Sequence, residues 1–319
     1  MSLLPPLAPP ALMLQMGHGS SIAHAGEILQ GVFEASDNRL HRGLVTLPCV
    51  ALESTATFEV TAGSGITVEP VWKTKAQASA RLALSYLGLR EVAGHLTVRS
   101  NIPPRWGFGS STSDVIASIR AVAYAFRRRL AAHVVASLAV RAEIASDAVM
   151  FEDRAVLFAQ REGIVLEDFG CGLPPMDVLV LNTDPSGNGV DTLLMPPAEY
   201  SPWEVEAFRP LRGLLRRALY TQDARLVGRV ASASARINQR HLPKPRLDDL
   251  ERLVEDLGGV GLQVAHSGCV VGLLFDSLVD AREERLAAAG ARVAEWGFST
   301  YARFQTREPE PIFEGALEL

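Results

Sequence analysis

The 319-residue sequence predicts an α+β fold in two layered domains rather than a regular βαβ array. Three observations carry this expectation. Strand-like and helical segments follow one another in irregular order, a glycine-proline break (GCGLPP) interrupts the chain at Gly170 to Pro175, and the length is sufficient for two substantial cores. The break sets the expected boundary, with an N-terminal domain over 1–172 and a C-terminal domain over 173–319.

The elements follow in order. Gly43 to Ser54 and Ala56 to Thr61 are enriched in β-branched residues, and Gly63-Ser64-Gly65 marks the turn after them. Ala80, Leu82, Leu84 and Leu87 give Lys75 to Leu87 a helical apolar pattern, and Gly94 to Ser100 returns to a strand. Val115, Ile116, Ile119, Val122 and Phe126 recur at helical spacing over Thr112 to Arg129, and a second helix is expected over Ala131 to Ala142. Strands at Ala155 to Ala159 and Met176 to Asn182 precede helices at Pro202 to Tyr220, Asp223 to Arg240 and Leu247 to Leu257. Two short strands, Gly261 to Ala265 and Val270 to Phe275, flank His266-Ser267-Gly268. A helix at Leu278 to Ala289 and strands at Arg292 to Glu295 and Thr300 to Phe304 complete the expected fold. Met1 to Met16 is apolar, lacks a basic segment and is broken by Pro5, Pro6, Pro9 and Pro10, so it reads as a mobile leader rather than a signal peptide or membrane span.

Composition narrows the function classes. With 48% hydrophobic and 21% charged residues the chain is an ordinary globular protein, and its formal charge of −5 argues against nucleic acid as a partner, which needs a concentrated basic surface. The run Arg127-Arg128-Arg129 reads as a solvated helix end favourable to the helix dipole. Three scattered cysteines, Cys49, Cys171 and Cys269, fit neither a disulfide framework nor a structural zinc site and point to a reducing cytoplasm. The expected partners are small molecules, on a monomer or homodimer.

Four segments carry chemistry. The most informative runs from Pro103 to Asp114 (PPRWGFGSSTSD), where Gly107 and Gly109 and the hydroxyls of Ser110, Ser111, Thr112 and Ser113 stand between a strand and a long helix. Glycines let backbone N–H groups approach a ligand, and the helix N-terminus carries partial positive charge, so the segment makes an anion cradle suited to phosphates. One hydroxyl could also ligate Mg²⁺. A glycine turn with a serine N-cap accounts for the same residues. The segment is neither a Walker A loop nor a dinucleotide fingerprint. The second segment places Glu27 between glycines in an apolar setting, where its charge needs a cation: a substrate ammonium or a structural Arg. His24 nearby reads as a structural residue. In the third, Asp147 stands before Val149 to Phe151 and suits either proton acceptance or a plain turn. The fourth, Gly258 to Gly272, is a glycine-dense strand-turn-strand in which His266 suits phosphate contact or simple structural bonding.

Together these segments resemble the GHMP kinase superfamily. Its motif P-x-x-x-G-L-G-S-S-A-A is matched by Pro103, Gly107, Phe108 in place of Leu, Gly109, Ser110, Ser111, and Thr112 and Ser113 in place of the alanines. Within it the chain is similar to the L-threonine kinases of cobalamin side-arm synthesis and propanediol utilisation. That branch is matched through Gly26-Glu27-Ile28-Leu29-Gln30-Gly31, Ser110 to Asp114, Asp147 to Phe151, Ile237 to Pro245 and Ala265 to Gly268, a span from about Gly19 to Phe275. The resemblance implies a ribosomal-S5-like N-terminal domain, a ferredoxin-like C-terminal domain, and ATP and Mg²⁺ as cofactors. It implies that Pro103 and Gly107 to Ser113 bind the ATP phosphates, that Ser111 and Glu143 hold the metal, and that Asp147 is catalytic. Acceptor contacts implied in the same way are Glu27, Gln30, Asn238, Gln239, Arg240, His266 and Ser267, with a small hydroxy amino acid as the acceptor. Two departures stand out: Trp106 occupies the place of a Lys in the branch, and Ile144-Ala145-Ser146-Asp147 that of Glu-Pro-Thr-Asp, which displaces one carboxylate to Glu143.

Overall fold

The computed structural model describes residues 15–35, 37–184, 186, 188–189 and 198–306, and most of the expected leader lies outside them. Two long strands form the spine, β1 (Met16–Glu34) and β2 (Leu40–Thr61), paired antiparallel along nearly their whole length. Leu52, Ser54, Ala56, Phe58 and Val60 of β2 alternate inward with outward-facing polar residues, the period-two signature of a half-buried strand. Beyond β2 lie β3 (Ile66–Glu69) and β4 (Ala93–Ser100), parallel to each other, and β5 (Val156–Ala159) with β6 (Ile164–Asp168) branch from β2. On the other side of β1 come β8 (Gly261–Val264), β9 (Val270–Asp276), β7 (Met176–Asn182) and β10 (Ser299–Gln305), so the main path is β10-β7-β9-β8-β1-β2-β4-β3.

Helices α1 (Thr74–Tyr86), α2 (Ser110–Ala125) and α3 (Ala132–Glu143) share one apolar core with β2, β3 and β4, in which Phe58, Leu96, Ile119 and Leu138 are buried. A second core, built on β1, receives α4 (Pro202–Tyr220) and α5 (Ala224–Asn238). A third joins β7, β8 and β9 to α6 (Leu247–Asp256) and α7 (Arg282–Glu295). The start of α4 is set by a capping box between Ser201 and Glu204 with Pro202 in the first turn.

Three expectations need correction. Arg292 to Glu295 is not a strand but the last turn of α7, because Leu286, Ala289 and Val293 bury one helical face. Met16 belongs to β1 rather than to a leader, pairing with Glu59. The helix after the glycine loop, α2, starts at Ser110, two residues earlier than its apolar periodicity predicts, because its first turn is polar.

β1 positions the site. It pairs with β8 through a single register point, Glu27 with Val264, and its pairing with β2 slips between Ile22 and Ala23, between His24 and Glu27, and between Glu27 and Leu29. Such bulges re-aim side chains. Here they turn His24 and Glu27 toward the β8–β9 turn. Gly26 (φ 105°) makes this possible, since a side chain there would strike Gln263 and the Ala265 backbone.

Candidate active site

The loop after β4 closes on the β8–β9 turn. Gly107 (φ 98°) and Gly109 (φ 71°) adopt backbone that L side chains avoid, and a Cβ on Gly107 would lie 1.8 Å from the Ser267 carbonyl oxygen. The Trp106 carbonyl accepts the Cys269 N–H at 2.8 Å, and the Phe108 carbonyl accepts the His24 N–H at 3.1 Å. Gly109 is the N-cap of α2 and has no side chain to cap it, which leaves the dipole end facing a cleft of about 940 Å³. Pro103, Gly107, Phe108, Gly109, Ser110, Ser111 and Thr112 all line this cleft. Ser113 does not: its hydroxyl turns inward and donates to the Ile22 carbonyl at 2.9 Å. Phe108 lends its backbone, while its ring is buried against Tyr301. Lys73, Lys75, Arg99 and Arg105 bring cations to the same walls. Trp106 stacks edge-on against Tyr301 at 5.0 Å, so it anchors the loop where the branch has a Lys.

At the mouth of the loop the hydroxyls meet Glu143. Ser111 Oγ donates to its Oε2 at 2.8 Å and Thr112 Oγ1 to its Oε1 at 2.9 Å. Burial pushes this carboxyl up to about 7 against those two bonds, and the nearby Asp147 adds to the rise. Glu143 is thus the carboxylate that meets the loop hydroxyls, while the next residue, Ile144, closes α3 at φ 75° and is exposed. Ser111 and Glu143 offer the hard oxygen ligands that Mg²⁺ prefers.

Asp147 follows in the turn after α3, held by the Ser146 N–H on the Gln160 carbonyl (2.9 Å) and the Ala148 N–H on Thr46 Oγ1 (3.3 Å). Its Oδ2 lies 3.1 Å from His24 Nε2 and accepts from Thr112 Oγ1 at 3.3 Å. Because His24 Nδ1 accepts the Gly26 N–H at 3.0 Å, the His24 proton sits on Nε2, close to the carboxylate but without the alignment of a hydrogen bond. Burial works to raise the Asp147 carboxyl, but His24, His266 and Thr112 together hold it well below the usual carboxylate range. Its Oδ1 is buried with no hydrogen-bond partner among the described residues, which leaves an acceptor atom for a ligand.

The cation that Glu27 requires is His266. Its backbone N–H donates to Glu27 Oε2 at 2.6 Å and its Nδ1 lies 2.8 Å from Oε1. Burial would lower the imidazole, yet Glu27, with help from Asp147, pushes it up to about 9. Glu27 thus faces a protein partner of a kind that neither reading of the sequence named. His24, Glu27 and Asp147 bring ligating atoms within 4.8 Å of one another, and the bonds just described account for them as a charge network.

A second cleft of about 410 Å³ shares Ala145, His266 and Ser267 with the first. Gln30 and Asn238 line it, and Asn238 Nδ2 donates to the Gln30 carbonyl at 3.1 Å. Arg240 reaches its rim with Nε on Glu204 Oε1 at 2.6 Å and another nitrogen on the Glu199 carbonyl at 2.7 Å. Gln239 lines neither cleft and instead brackets the Lys244 backbone with two bonds of 2.8 Å. Lys244, which sequence reasoning passed over, is buried, its ammonium brought down to about 8 by that burial. It donates to the Gly268 carbonyl at 2.6 Å and so holds the turn that packs on Gly107. Its one sequence signal was a lone cation between Pro243 and Pro245. His24 was also read as merely structural, because nothing local shows that Asp147 comes to it.

A glycine-lined anion cleft that meets a second basic cleft beside a carboxylate defines a small-molecule phosphotransferase. The model of the GHMP kinase N-terminal domain matches residues 74–152, which hold the loop, α2, α3 and Asp147. An L-threonine kinase of Citrobacter freundii is 31% identical over 261 residues, covering 80% of this chain and 84% of that one. An L-threonine kinase of Salmonella typhimurium is 33% identical over 180 residues, 56% of this chain and 59% of that one. Among solved structures, the homoserine kinase from Cytophaga hutchinsonii aligns with a TM-score of 0.66 at 15% identity, covering 94% and 96% of the two chains. The chain belongs to the GHMP kinases, ATP-dependent enzymes that phosphorylate small molecules, and is a phosphotransferase with a hydroxyl acceptor. Among the described residues, no helix is long and apolar enough to cross a membrane.

Proposed function

We propose that this kinase transfers the γ-phosphoryl group of ATP to the side-chain hydroxyl of a small amino acid, with L-threonine as the preferred acceptor and O-phospho-L-threonine as the product. The observation that carries the reading is the junction of the two clefts at Ala145, His266 and Ser267, beside Asp147. ATP occupies the larger cleft, with its phosphates over Gly107 to Thr112, and the amino acid occupies the smaller. In this reading residues 1–172 supply the phosphate loop and one wall of the acceptor cleft, and 173–319 close the other wall.

The acceptor oxygen attacks the γ-phosphorus as the bond to the β,γ-bridging oxygen breaks and ADP leaves. Asp147 Oδ1 accepts the hydrogen bond of the acceptor hydroxyl and takes its proton as the new P–O bond forms. His24 keeps Asp147 ionised and oriented, and Glu27 keeps His266 protonated beside the transferring group. The α2 N-terminus and the cleft cations offset the charge that builds on the phosphoryl oxygens. Ser111 and Glu143 would hold Mg²⁺, which supplies further neutralisation of the phosphates. Proton removal by itself adds little in a loose transition state, so Asp147 contributes chiefly by aligning the acceptor hydroxyl through a charged hydrogen bond that Asn cannot supply.

The test is acceptor-dependent ADP release from Mg-ATP across L-threonine, L-serine and L-homoserine. L-Threonine is expected to give the highest kcat/KM. Asp147→Asn is expected to lower kcat by roughly 10²-fold or more with ATP affinity within about twofold. ATP binding without turnover on any of the three acceptors would overturn the reading, and near-normal turnover in Asp147→Asn would remove that residue from the chemistry.

A further inference from the structure

The charge balance of the smaller cleft is one-sided. Arg42, Arg161, Arg240 and His266 line it as cations, His241 lines it with an imidazole that burial and Arg240 hold below its ordinary value, and no Asp or Glu does so among the described residues. Unmatched guanidinium groups around a concave site call for an anionic ligand. Two of these cations are already satisfied. His266 belongs to Glu27. Arg240 is held by Glu204, whose carboxylate is itself fixed at the start of α4 by the Ser201 N–H at 2.7 Å. A ligand carboxylate arriving at Arg240 would have to displace an intramolecular one.

Arg161 is in a different state. It stands in the turn between β5 and β6, exposed, and its side chain makes no hydrogen bond or ion pair with a described residue. The adjacent Glu162 does not neutralise it, being turned to His41 at 3.4 Å. Arg42, on β2, gives one N–H to the Ala198 carbonyl and keeps further donors. The backbone carbonyl of Gln160, next to Arg161, accepts from Ser146, so this turn is tied to the one that carries Asp147.

We propose that Arg161, assisted by Arg42, recognises the carboxylate of the acceptor, and that Arg240 is a structural residue committed to Glu204. The inference rests on the acceptor being a hydroxy amino acid and adds which residue reads it and by which group. A guanidinium fork matches a carboxylate in two parallel bonds, which an amino alcohol cannot reproduce. The fixed Asp147 turn beside it then places the acceptor hydroxyl toward the phosphoryl donor.

The experiment is a calorimetric titration of L-threonine and of L-threoninol, which lacks the carboxylate, into the Mg-ADP-loaded enzyme. The parent protein is expected to bind L-threonine at least about 10-fold more tightly than L-threoninol, the scale of one charged hydrogen-bonded contact. Arg161→Gln is expected to erase that preference and to raise KM for the amino acid, with kcat and the KM for ATP near the parent values. Arg240→Gln is expected to keep the preference while lowering the melting temperature. Full discrimination in Arg161→Gln, or its loss in Arg240→Gln with Arg161 intact, overturns the proposal. Absence of threonine phosphorylation alongside intact carboxylate discrimination sinks the substrate assignment and leaves the arginine in place. If L-threonine does not bind, the same comparison with L-serine and L-homoserine and their amino alcohols decides, and no carboxylate preference in any pair overturns the proposal.

Discussion

Replacing Glu143 by Gln should stabilise the protein in alkaline solution while crippling it as a kinase. Burial pushes this carboxyl from 4.5 up to about 7 in the folded state. A group raised in this way keeps, in the native protein, a proton that the unfolded chain has already released. Stability therefore falls as pH rises from 4.5 to about 7, and above that window the whole penalty is present. Each pH unit of the window is worth about 1.4 kcal/mol, which caps the penalty at about 3 kcal/mol. Gln carries no charge, but its single amide oxygen can keep only one of the two hydroxyl bonds from Ser111 and Thr112, a loss of about 1 kcal/mol. The variant should accordingly be about 2 kcal/mol more stable than the parent near about pH 8.5, of nearly equal stability near about pH 5, and about 1 kcal/mol less stable near about pH 3.5, below the window. For a chain of this size the alkaline and acid differences correspond to shifts in Tm of roughly +4 °C and −2 °C, with almost no shift near about pH 5. Differential scanning calorimetry in EDTA across that pH range reads both. Parallel Tm–pH curves for parent and variant, or a variant less stable at the alkaline end, would refute the reasoning. In Mg-ATP the same variant should lose on the order of 10²-fold in kcat, as expected for the loss of one preorganised contact to the transferring group.

Two further outcomes follow from the geometry. Gly107→Ala must place a Cβ 1.8 Å from the Ser267 carbonyl at φ 98°; it should cost about 3 kcal/mol in urea unfolding and abolish ATP binding, and a loss under about 0.5 kcal/mol would show that the loop does not pack on the β8–β9 turn. Glu27→Gln should lower the His266 imidazole from about 9, read by NMR titration of the ring. The raised histidine contributes stability that is complete below its unfolded value of 6.5 and is lost as pH rises through about 9, so this slope should flatten in the variant. An unchanged ring titration would mean that Glu27 is not its counter-charge.

Much of the fold was legible because local signals agreed with it. The apolar periodicity of α2 and the β-branched enrichment of β2 belong to the residues themselves, and both elements cover most of the stretches so marked, although α2 starts two residues earlier and ends at Ala125 and β2 is one continuous strand. β1 was not legible as a strand. Its His24–Gly31 half is buried almost throughout and broken by bulges, so it lacks the period-two signal that marked β2. The strand expected at Arg292 to Glu295 failed for the opposite reason, since so short a window cannot distinguish alternation from the end of a helical stripe.

The sequence by itself determined the kinase class and the local form of the glycine loop, because a loop whose glycines must take positive φ and whose hydroxyls open a helix is specified by contiguous residues. Only the tertiary structure decided the partners. His24 and Glu27 from β1, Asp147 from the turn after α3 and His266 from the β8–β9 turn are up to 239 residues apart along the chain, yet they form one charge network. Likewise Glu143 meets the hydroxyls of Ser111 and Thr112, and Glu204 claims Arg240. A residue's type states which partners it can accept. Which one it meets depends on bulges, turns and packing far away in the chain, and those contacts exist only once the sheet has formed.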